Sequence, residues 1–179
     1  MKKETKKEIF SWIWTLAVAF VIALFLNHYI IVNANVPTGS MENTIQPGDR
    51  LIGFRLSYQK EGPKRGDIII FNYPVDESEI YIKRVIGLPG ETVQILDGYV
   101  YINGEKLDEN YGAEVMNDAG RAAEPITLGD DEYFVLGDNR NRSDDSRYEN
   151  VENLKREKIV GRAWVRIWPL DRICVVRHQ

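Results

Sequence analysis

The sequence predicts a mainly β protein, an antiparallel β-sandwich or partly open barrel, that is preceded by one transmembrane helix. Two observations carry this prediction. Residues 10–32 contain no Asp, Glu, Lys or Arg, and an apolar run of this length can cross a bilayer as a helix. After residue 35, apolar residues recur in short β-rich runs between turn signals, without a long stretch of helical period. We therefore expect an anchor over residues 9–32 and a β domain over residues 33–179.

The anchor begins with the uncharged run IFSWIWTLAVAFVIALFL, residues 9–26. At 1.5 Å per residue this run forms a helix of about 27 Å, close to the ~30 Å thickness of the hydrocarbon core. Lysines precede it, so residues 1–8 are predicted to be cytoplasmic and the β domain extracytoplasmic, in a single-pass protein of the cell membrane. The alternatives are a signal peptide that is cut after Ala34 and a buried core helix. The length of the run favours a retained anchor.

The β domain shows strands separated by turn residues. Asp97-Gly98 and Asn103-Gly104 are two-residue hairpin signals. Residues 108–131 are polar and irregular, which indicates a small insertion. A short helix is predicted over residues 146–157, with Ser146 as its N-cap. The predicted strands are 50–58, 67–74, 80–87, 92–96, 99–102, 105–107, 132–137, 159–169 and 173–178.

Composition excludes several classes of function. The net charge is −4, and because the first nine residues are locally basic, the remainder is more acidic still. An acidic domain argues against nucleic acid as a partner. A single cysteine, Cys174, rules out an internal disulfide framework. With two histidines and one cysteine, a structural zinc site is not expected, and we predict no metal and no cofactor.

Ser40 is the first candidate for chemistry, in the stretch VPTGSMENT just after the apolar run. The plain alternative is a linker in which Gly39 permits a turn. A serine nucleophile needs a base, and histidines are scarce. His28 falls within the apolar segment and His178 is the penultimate residue, where chain ends tend to fray. A Ser-His-Asp triad is therefore disfavoured.

A lysine is the alternative base, provided that burial lowers its pKa. In EIYIKRVIG, strand alternation places Tyr81, Lys83 and Val85 on one face and Arg84 on the other. Lys83 thus has apolar neighbours on its own face, whereas the other lysines of the β domain lie in polar stretches. The alternative for Lys83 is an exposed lysine on a solvent-facing strand, since lysine is rarely buried.

With these residues the sequence resembles the type I signal peptidases, the membrane-bound Ser-Lys proteases that remove signal peptides from exported proteins. Matching blocks occur in order from the anchor to about residue 169, and the short insertion with a single anchor is similar to the compact Gram-positive form. The blocks are TGSM (38–41), PGD (47–49), IKRVIGLPGE (82–91) and GDNRNRSDDSR (137–147), together with the hairpin YINGEKLDE.

The resemblance implies roles for several residues of these blocks. Ser40 is implied as the nucleophile and Lys83 as the general base, while the Ser40 N–H and the Thr38 hydroxyl would form the oxyanion hole. Ser143 would hydrogen-bond and orient the Lys83 amine. The implied supporting polar residues are Asp138, Asp145, Arg147 and Arg84.

The implied activity is endopeptidase cleavage of preproteins through an acyl-enzyme, with small residues at substrate positions −1 and −3. The implied partners are signal peptides in the membrane and the lipid bilayer, and the protein is expected to be a monomer. Two other functions stay open: a non-catalytic membrane-anchored β scaffold derived from this family, and a related Ser-Lys protease that cleaves itself or acts in another pathway.

The chain departs from the family pattern behind the nucleophile, where Asn43 stands in place of the usual proline and Glu42 adds an acid. Because proline fixes φ, we expect its loss to loosen this segment.

Three short motifs have simpler interpretations. GDNRNRSDDSR alone is typical of a solvated turn. NRS at 141–143 matches a glycosylation acceptor, a short pattern that is frequent by chance. RGD at 65–67 resembles an adhesion tripeptide but is interpreted as a turn that enters a strand.

Overall fold

The apolar segment forms a helix that leads directly into the β domain. The computed structural model describes residues 2–111, 114–148 and 152–178. Helix α1, Lys2–Phe25, continues into a π-helical turn, Leu26–Ile30, and Lys6–Ile30 is long and apolar enough to cross a membrane. The predicted apolar helix is confirmed, but it ends at Ile30 instead of residue 32. Val32 is 3% exposed and packs with Ala34 in the β core, so it belongs to a strand.

The β domain consists of two antiparallel sheets, as predicted. The larger sheet has the order β1-β2-β11-β3-β4-β9-β10, with β12 paired to β11, and its end strands do not meet. The smaller sheet has the order β7-β6-β5-β8. The strands are β1 (Ile31–Asn35), β2 (Arg50–Phe54), β3 (Ile68–Asn72), β4 (Ile80–Gly87), β5 (Thr92–Leu96), β6 (Tyr99–Ile102), β7 (Glu105–Lys106), β8 (Ile126–Thr127), β9 (Glu132–Leu136), β10 (Leu154–Lys155), β11 (Ile159–Trp168) and β12 (Cys174–Val175).

Hairpin chemistry explains the smaller sheet. Asp97 and Gly98 have φ values of 51° and 78°, and Asn103 and Gly104 have φ values of 52° and 85°. Positive φ at both central residues is what a type I′ turn requires, and Asn, Asp and Gly adopt it most readily. These turns pair β5 with β6 and β6 with β7, which confirms both predicted hairpins.

Strand β4 is covered on both faces. Ile82 lies in a core cluster with β1 and β2 residues, whereas Val85 packs in a separate cluster with Ile69 and Phe71 of strand β3. A strand that is buried on both sides reads as a continuous apolar run, as IYIKRVIG nearly does. The two charged residues inside that run are therefore forced into the interior.

The predicted helix over residues 146–157 is not present in the described part of this segment. Ser146 and Arg147 form a turn, and the Ser146 Oγ accepts a hydrogen bond from the N–H of Val135 instead of capping a helix. Leu154 is buried and pairs with Tyr133 in strand β10, which explains why this end is extended. Residues 149–151 lie outside the described residues. Short 3-10 helices occur at Arg55–Tyr58, Gly120–Ala123, Arg140–Arg142, Arg156–Lys158 and Leu170–Arg172.

Candidate active site

Ser40 lies in a hydrogen-bonded turn after strand β1. The N–H of Glu42 donates to the carbonyl of Gly39 at 3.0 Å, and the N–H of Ile45 donates to the carbonyl of Met41 at 2.8 Å. Met41 and Ile45 are buried and anchor the turn in the core. Ser40 itself is 8% exposed and lines an open cleft. The local sequence thus fixes the serine through the two apolar residues that follow it.

Asn43 gives this turn a conformation that the family proline does not allow. Its φ is +87°, whereas proline is locked near −65°, and Asn is among the residues that tolerate positive φ. The N–H of Thr44 donates to the carbonyl of Met41 at 3.1 Å across this position. The expected loosening is therefore replaced by a different closed turn.

Lys83 points at Ser40 from strand β4. Its Nζ lies 2.7 Å from the Ser40 Oγ, a hydrogen bond that joins residues 43 positions apart. Lys83 is 3% exposed, and the Tyr81 ring lies beneath its amine, 5.3 Å from Nζ to the ring centroid. Within the described residues, no carboxylate forms an ion pair with this amine. The sequence prediction that these two side chains come together is met by the geometry.

The surroundings of Lys83 make its amine easier to deprotonate. Burial lowers the pKa of Lys83 from 10.5 to about 8, although the carboxylates of Asp145 and Asp144 oppose this shift. Arg147 lowers the pKa further, and Asp138 opposes it. Desolvation disfavours the charged form of a lysine, and the nearby carboxylates are too weakly coupled to restore the usual value.

The 137–147 segment packs directly against the nucleophile turn. The N–H of Asn139 donates to the Ser40 carbonyl at 3.1 Å, and its side-chain amide donates to the Gly39 carbonyl at 3.0 Å. A Cβ on Gly137 would lie 2.3 Å from the Ser40 carbonyl oxygen and 2.2 Å from the Ser143 Oγ. Only glycine fits there. Sequence reasoning gave no role to Asn139 or Gly137, although both stand in the quoted segment.

Ser143 does not form the predicted hydrogen bond to Lys83. It is 4% exposed, and within the described residues its Oγ has no hydrogen-bond partner. The Lys83 amine is directed at Ser40 instead, while the Ser143 Oγ packs against Gly137. A role for Ser143 in orienting the amine stays a prediction that this geometry does not supply.

The predicted supporting residues form two buried ion pairs. Arg84 donates to both carboxylate oxygens of Asp138 at 2.8 and 2.7 Å, on the strand face opposite Lys83. Arg147 donates to both oxygens of Asp145 at 2.8 and 3.0 Å, and Asp145 also accepts the N–H of Gly137 at 3.1 Å. Bidentate pairs of this kind fix geometry as well as charge. They hold the 137–147 segment beneath the serine.

The cleft above Ser40 has a volume of about 540 Å³. Thr38 is exposed and lines it close to Ser40. On one wall, residues 80–83 of β4 pair with β3 but not with β9, which pairs only from Arg84 onward. On the other wall, β1 pairs only with β2 within the described sheets. The lining residues are Asn35, Val36, Pro37, Thr38, Ser40, Glu79, Ile80, Tyr81, Ile82, Lys83, Arg142 and Asp144.

The histidines do not serve Ser40. The chain end is not frayed at His178, because the imidazole contacts the backbone of two other residues. Its Nδ1 accepts a hydrogen bond from the N–H of Ile68 at 2.9 Å, and its Nε2 lies 2.9 Å from the Ala163 carbonyl oxygen. Burial lowers the pKa of His178. His28 lies in the π-helical turn that ends the apolar helix. Among the described residues, no group of three His, Cys, Asp or Glu side chains is arranged to hold a metal ion.

The three short motifs have defined positions in the fold. Most of the 137–147 segment is buried, with Asp138 at 0% and Arg140 at 1% exposure, so it is not a fully solvated turn. Residues 65–66 of the RGD tripeptide form a turn that leads into strand β3, as interpreted from the sequence, and Asp67 is buried and accepts a hydrogen bond from the Tyr58 hydroxyl at 3.0 Å. The Asn141 amide of the NRS motif is engaged with Glu114 and the Val115 carbonyl.

A buried serine hydroxyl beside a buried amine, at an open cleft, defines the site of a serine-type hydrolase. Residues 9–168 match the family described as signal peptidase, peptidase S26. The chain belongs to this family.

Named relatives agree with this assignment. The chain is 42% identical to the probable signal peptidase I-2 of Synechocystis, over 96% of this chain and 80% of that protein. It is 34% identical to the signal peptidase I of Bacillus licheniformis, over 94% and 93% respectively. A crystal structure of a signal peptidase I from Enterococcus faecalis V583 is 35% identical, with a TM-score of 0.45 over 57% of this chain and 97% of that one.

Proposed function

We propose that this protein is a membrane-anchored signal peptidase I that cleaves N-terminal signal peptides from exported preproteins with a Ser-Lys dyad. The observation that carries the proposal is the 2.7 Å contact between the Lys83 Nζ and the Ser40 Oγ, in a buried setting without a carboxylate ion pair among the described residues. Burying a lysine without a counter-ion destabilises the folded state. Activation of a serine nucleophile is a function that explains why the lysine is buried here.

The reaction follows from the positions of these groups. Ser40 Oγ attacks the scissile carbonyl while neutral Lys83 takes its proton, and the Ser40 N–H and Thr38 hydroxyl donate to the oxyanion. The resulting ammonium of Lys83 protonates the leaving amine, which departs as the new N-terminus of the mature protein. Lys83 then removes a proton from water, and the hydroxide attacks the Ser40 ester. The Lys83 ammonium returns this proton to the Ser40 oxygen, which releases the signal peptide as a carboxylic acid and restores both side chains.

The lowered pKa decides whether this base is available. A lysine with a pKa near 10.4 is neutral in only about one molecule in 2,500 at pH 7. With a pKa of about 8, roughly one molecule in ten is neutral at pH 7. The burial of one side chain therefore raises the concentration of active base by more than two orders of magnitude.

The cleft suits an extended peptide. Its two walls carry backbone edges that are not paired within the described sheets, from β1 on one side and residues 80–83 of β4 on the other. Unpaired strand edges bind an added strand through main-chain hydrogen bonds, and small pockets then select its side chains. We propose that the substrate occupies this gap, with small residues at positions −1 and −3.

The N-terminal helix is proposed as a retained anchor with residues 1–8 in the cytoplasm. A cut after Ala34 would fall inside strand β1, where Val32 and Ala34 are both 3% exposed, so the cleavable alternative would destroy part of the core. Ser40 follows Ile30 by ten residues, at most about 36 Å of chain. Enzyme and signal peptide therefore share one membrane plane, which raises their effective concentration.

The test uses the full chain in detergent micelles with a purified preprotein. We expect Ser40→Ala and Lys83→Ala to abolish cleavage, and Thr38→Val to lower kcat by about 10²-fold through loss of one oxyanion donor. Full activity of Lys83→Ala would remove the proposed mechanism. An inactive wild-type protein would favour the non-catalytic scaffold, and cleavage confined to its own chain would favour the self-processing protease.

A further inference from the structure

The segment that follows strand β7 reaches back to the active-site scaffold. It lies at the start of the small insertion predicted over residues 108–131, and its Glu109 and Tyr111 contact two arginines that are almost completely buried. Arg140 is 1% exposed and Arg84 is 2% exposed. Neither Glu109 nor Tyr111 lines the cleft that holds Ser40. An effect of this pair on the reaction is therefore indirect, and the two arginines provide a path for it.

Glu109 holds Arg140. Both terminal nitrogens of Arg140 donate to the Glu109 carboxylate, one of them at 2.9 Å, and the Tyr111 hydroxyl donates to the same carboxylate at 2.6 Å. The remaining guanidinium nitrogen, Nε, donates to the carbonyl of Gly137 at 3.0 Å. One planar side chain thus connects the carboxylate of Glu109 to the backbone of Gly137.

Tyr111 holds Arg84. The guanidinium of Arg84 lies over the Tyr111 ring, with its Cζ 4.0 Å from the ring centroid. The same guanidinium forms the bidentate ion pair with Asp138. Cation–π contacts are strongest between desolvated groups, and here the contact also fixes the plane of the guanidinium. Glu109 and Tyr111 therefore act on adjacent residues, Gly137 and Asp138.

Gly137 is in direct contact with the nucleophile turn. The Ser40 carbonyl and the Ser143 Oγ both approach its Cα so closely that no Cβ fits. The next residue but one, Asn139, donates to the Ser40 carbonyl. A movement of the Gly137 carbonyl therefore displaces the serine relative to Lys83, which approaches from a different strand.

We propose that Glu109 and Tyr111 are positioning residues for the catalytic pair, which hold Arg140 and Arg84 and through them set the Gly137–Asp138 backbone against Ser40. This proposal rests on the proposed function and extends it, since it assigns the first part of the insertion a role in the reaction. Loss of the Glu109 carboxylate leaves a buried guanidinium without its counter-charge. Arg140 would then move toward water and pull on the Gly137 carbonyl.

The experiment measures kcat, KM and Tm for the full chain in detergent micelles with a preprotein substrate. For Glu109→Gln we expect kcat to fall about tenfold with KM within twofold of wild type, because misplacement of reacting groups costs rate while the cleft is unchanged. Tyr111→Leu should lower kcat to a similar extent. Tyr111→Phe keeps the ring over Arg84 and should recover most of the activity.

The matched control is Glu91→Gln. Glu91 also forms a bidentate pair with an arginine, Arg65, at 2.9 and 2.6 Å, but that pair is more exposed and does not contact the 137–147 segment. It should lower Tm and leave kcat unchanged. If Glu109→Gln does not fold, Tyr111→Leu is judged by the same criteria.

Wild-type kcat in the folded Glu109 and Tyr111 variants would overturn the inference, and so would an equal fall of kcat in Glu91→Gln, which would indicate general destabilisation. Retained cleavage by Lys83→Ala would instead overturn the proposed function, so the two failures are distinguishable.

Discussion

Lys83 and Arg84 are neighbours on strand β4, and the fold treats their two buried side chains in opposite ways. Arg84 receives a bidentate carboxylate, a backbone carbonyl at 2.8 Å and an aromatic ring. Among the described residues, Lys83 receives the neutral hydroxyl of Ser40 and the Tyr81 ring, but no paired carboxylate. Both are under 4% exposed, so burial does not distinguish them. What distinguishes the two side chains is whether a carboxylate is paired with the cation.

The difference follows from strand alternation and shows how one strand carries a structural cation and a basic amine side by side. Successive side chains point to opposite faces, so Asp138 neutralises Arg84 without contacting Lys83. A carboxylate in contact with Lys83 would stabilise its ammonium form and raise its pKa. The ion pair on one face therefore stabilises the scaffold, and the missing ion pair on the other keeps the amine reactive.

The largest expected effect comes from Lys83→Met, which removes the buried cation that has no paired carboxylate. The rate of preprotein cleavage should fall by about 10²–10⁴-fold, the usual contribution of a general base. Because a buried ionisable group is replaced by an apolar one of similar length, Tm should rise. Lys64→Met is the control, since Lys64 is exposed. A Lys83→Met protein that is both active and less stable than wild type would contradict the account, because Lys83 would then stabilise the fold and not act as the base.

Arg84→Met removes the buried cation that is paired with a carboxylate. It leaves the carboxylate of Asp138, which is 0% exposed, without its counter-ion. We expect the free energy of unfolding to fall by about 3–5 kcal/mol, because breaking a buried pair leaves an uncompensated charge. Denaturant titration in detergent measures this. Unchanged stability would mean that the Arg84–Asp138 pair does not support the scaffold.

Gly137→Ala perturbs the contact between the scaffold and the serine. A methyl group would lie 2.3 Å from the Ser40 carbonyl oxygen, and we expect kcat to fall by about 10²-fold, as a displacement of roughly 1 Å near reacting groups does. Gly129→Ala is the control, because its Cβ would lie 3.3 Å from the flexible Glu132 side chain. Equal kinetics in the two variants would contradict the assigned role of Gly137.

The smallest effect is a pH dependence of stability. Since the pKa of Lys83 is about 8 in the folded state and 10.5 in the unfolded state, the unfolded state binds the extra proton between these values, and stability rises with pH there. The stability advantage of Lys83→Met over wild type should shrink by about 2 kcal/mol between pH 7 and pH 9.5. A constant difference across this range would show that the pKa of Lys83 is the same in the folded and unfolded states, which would contradict the account.

Strand alternation in the sequence was sufficient to separate Lys83 from Arg84, and Asp-Gly and Asn-Gly were sufficient to place two hairpins. The helix expected from Ser146 is not present in the described part of its segment, because the burial of Leu154 against β9 outweighs a local capping signal. Burial and pairing come from residues distant in the chain. For the same reason the contacts of Glu109 and Tyr111 could not be predicted, since nothing local to them indicates the two arginines that they meet.

The most direct test is an NMR titration of Lys83 in the full-length protein, selectively labelled at the lysine side chain and assigned with the Lys83→Met variant. The account predicts a midpoint near pH 8, with the rate of preprotein cleavage rising through the same midpoint as the amine loses its proton. A Lys83 resonance that titrates above pH 10, like those of the exposed lysines, would contradict the account.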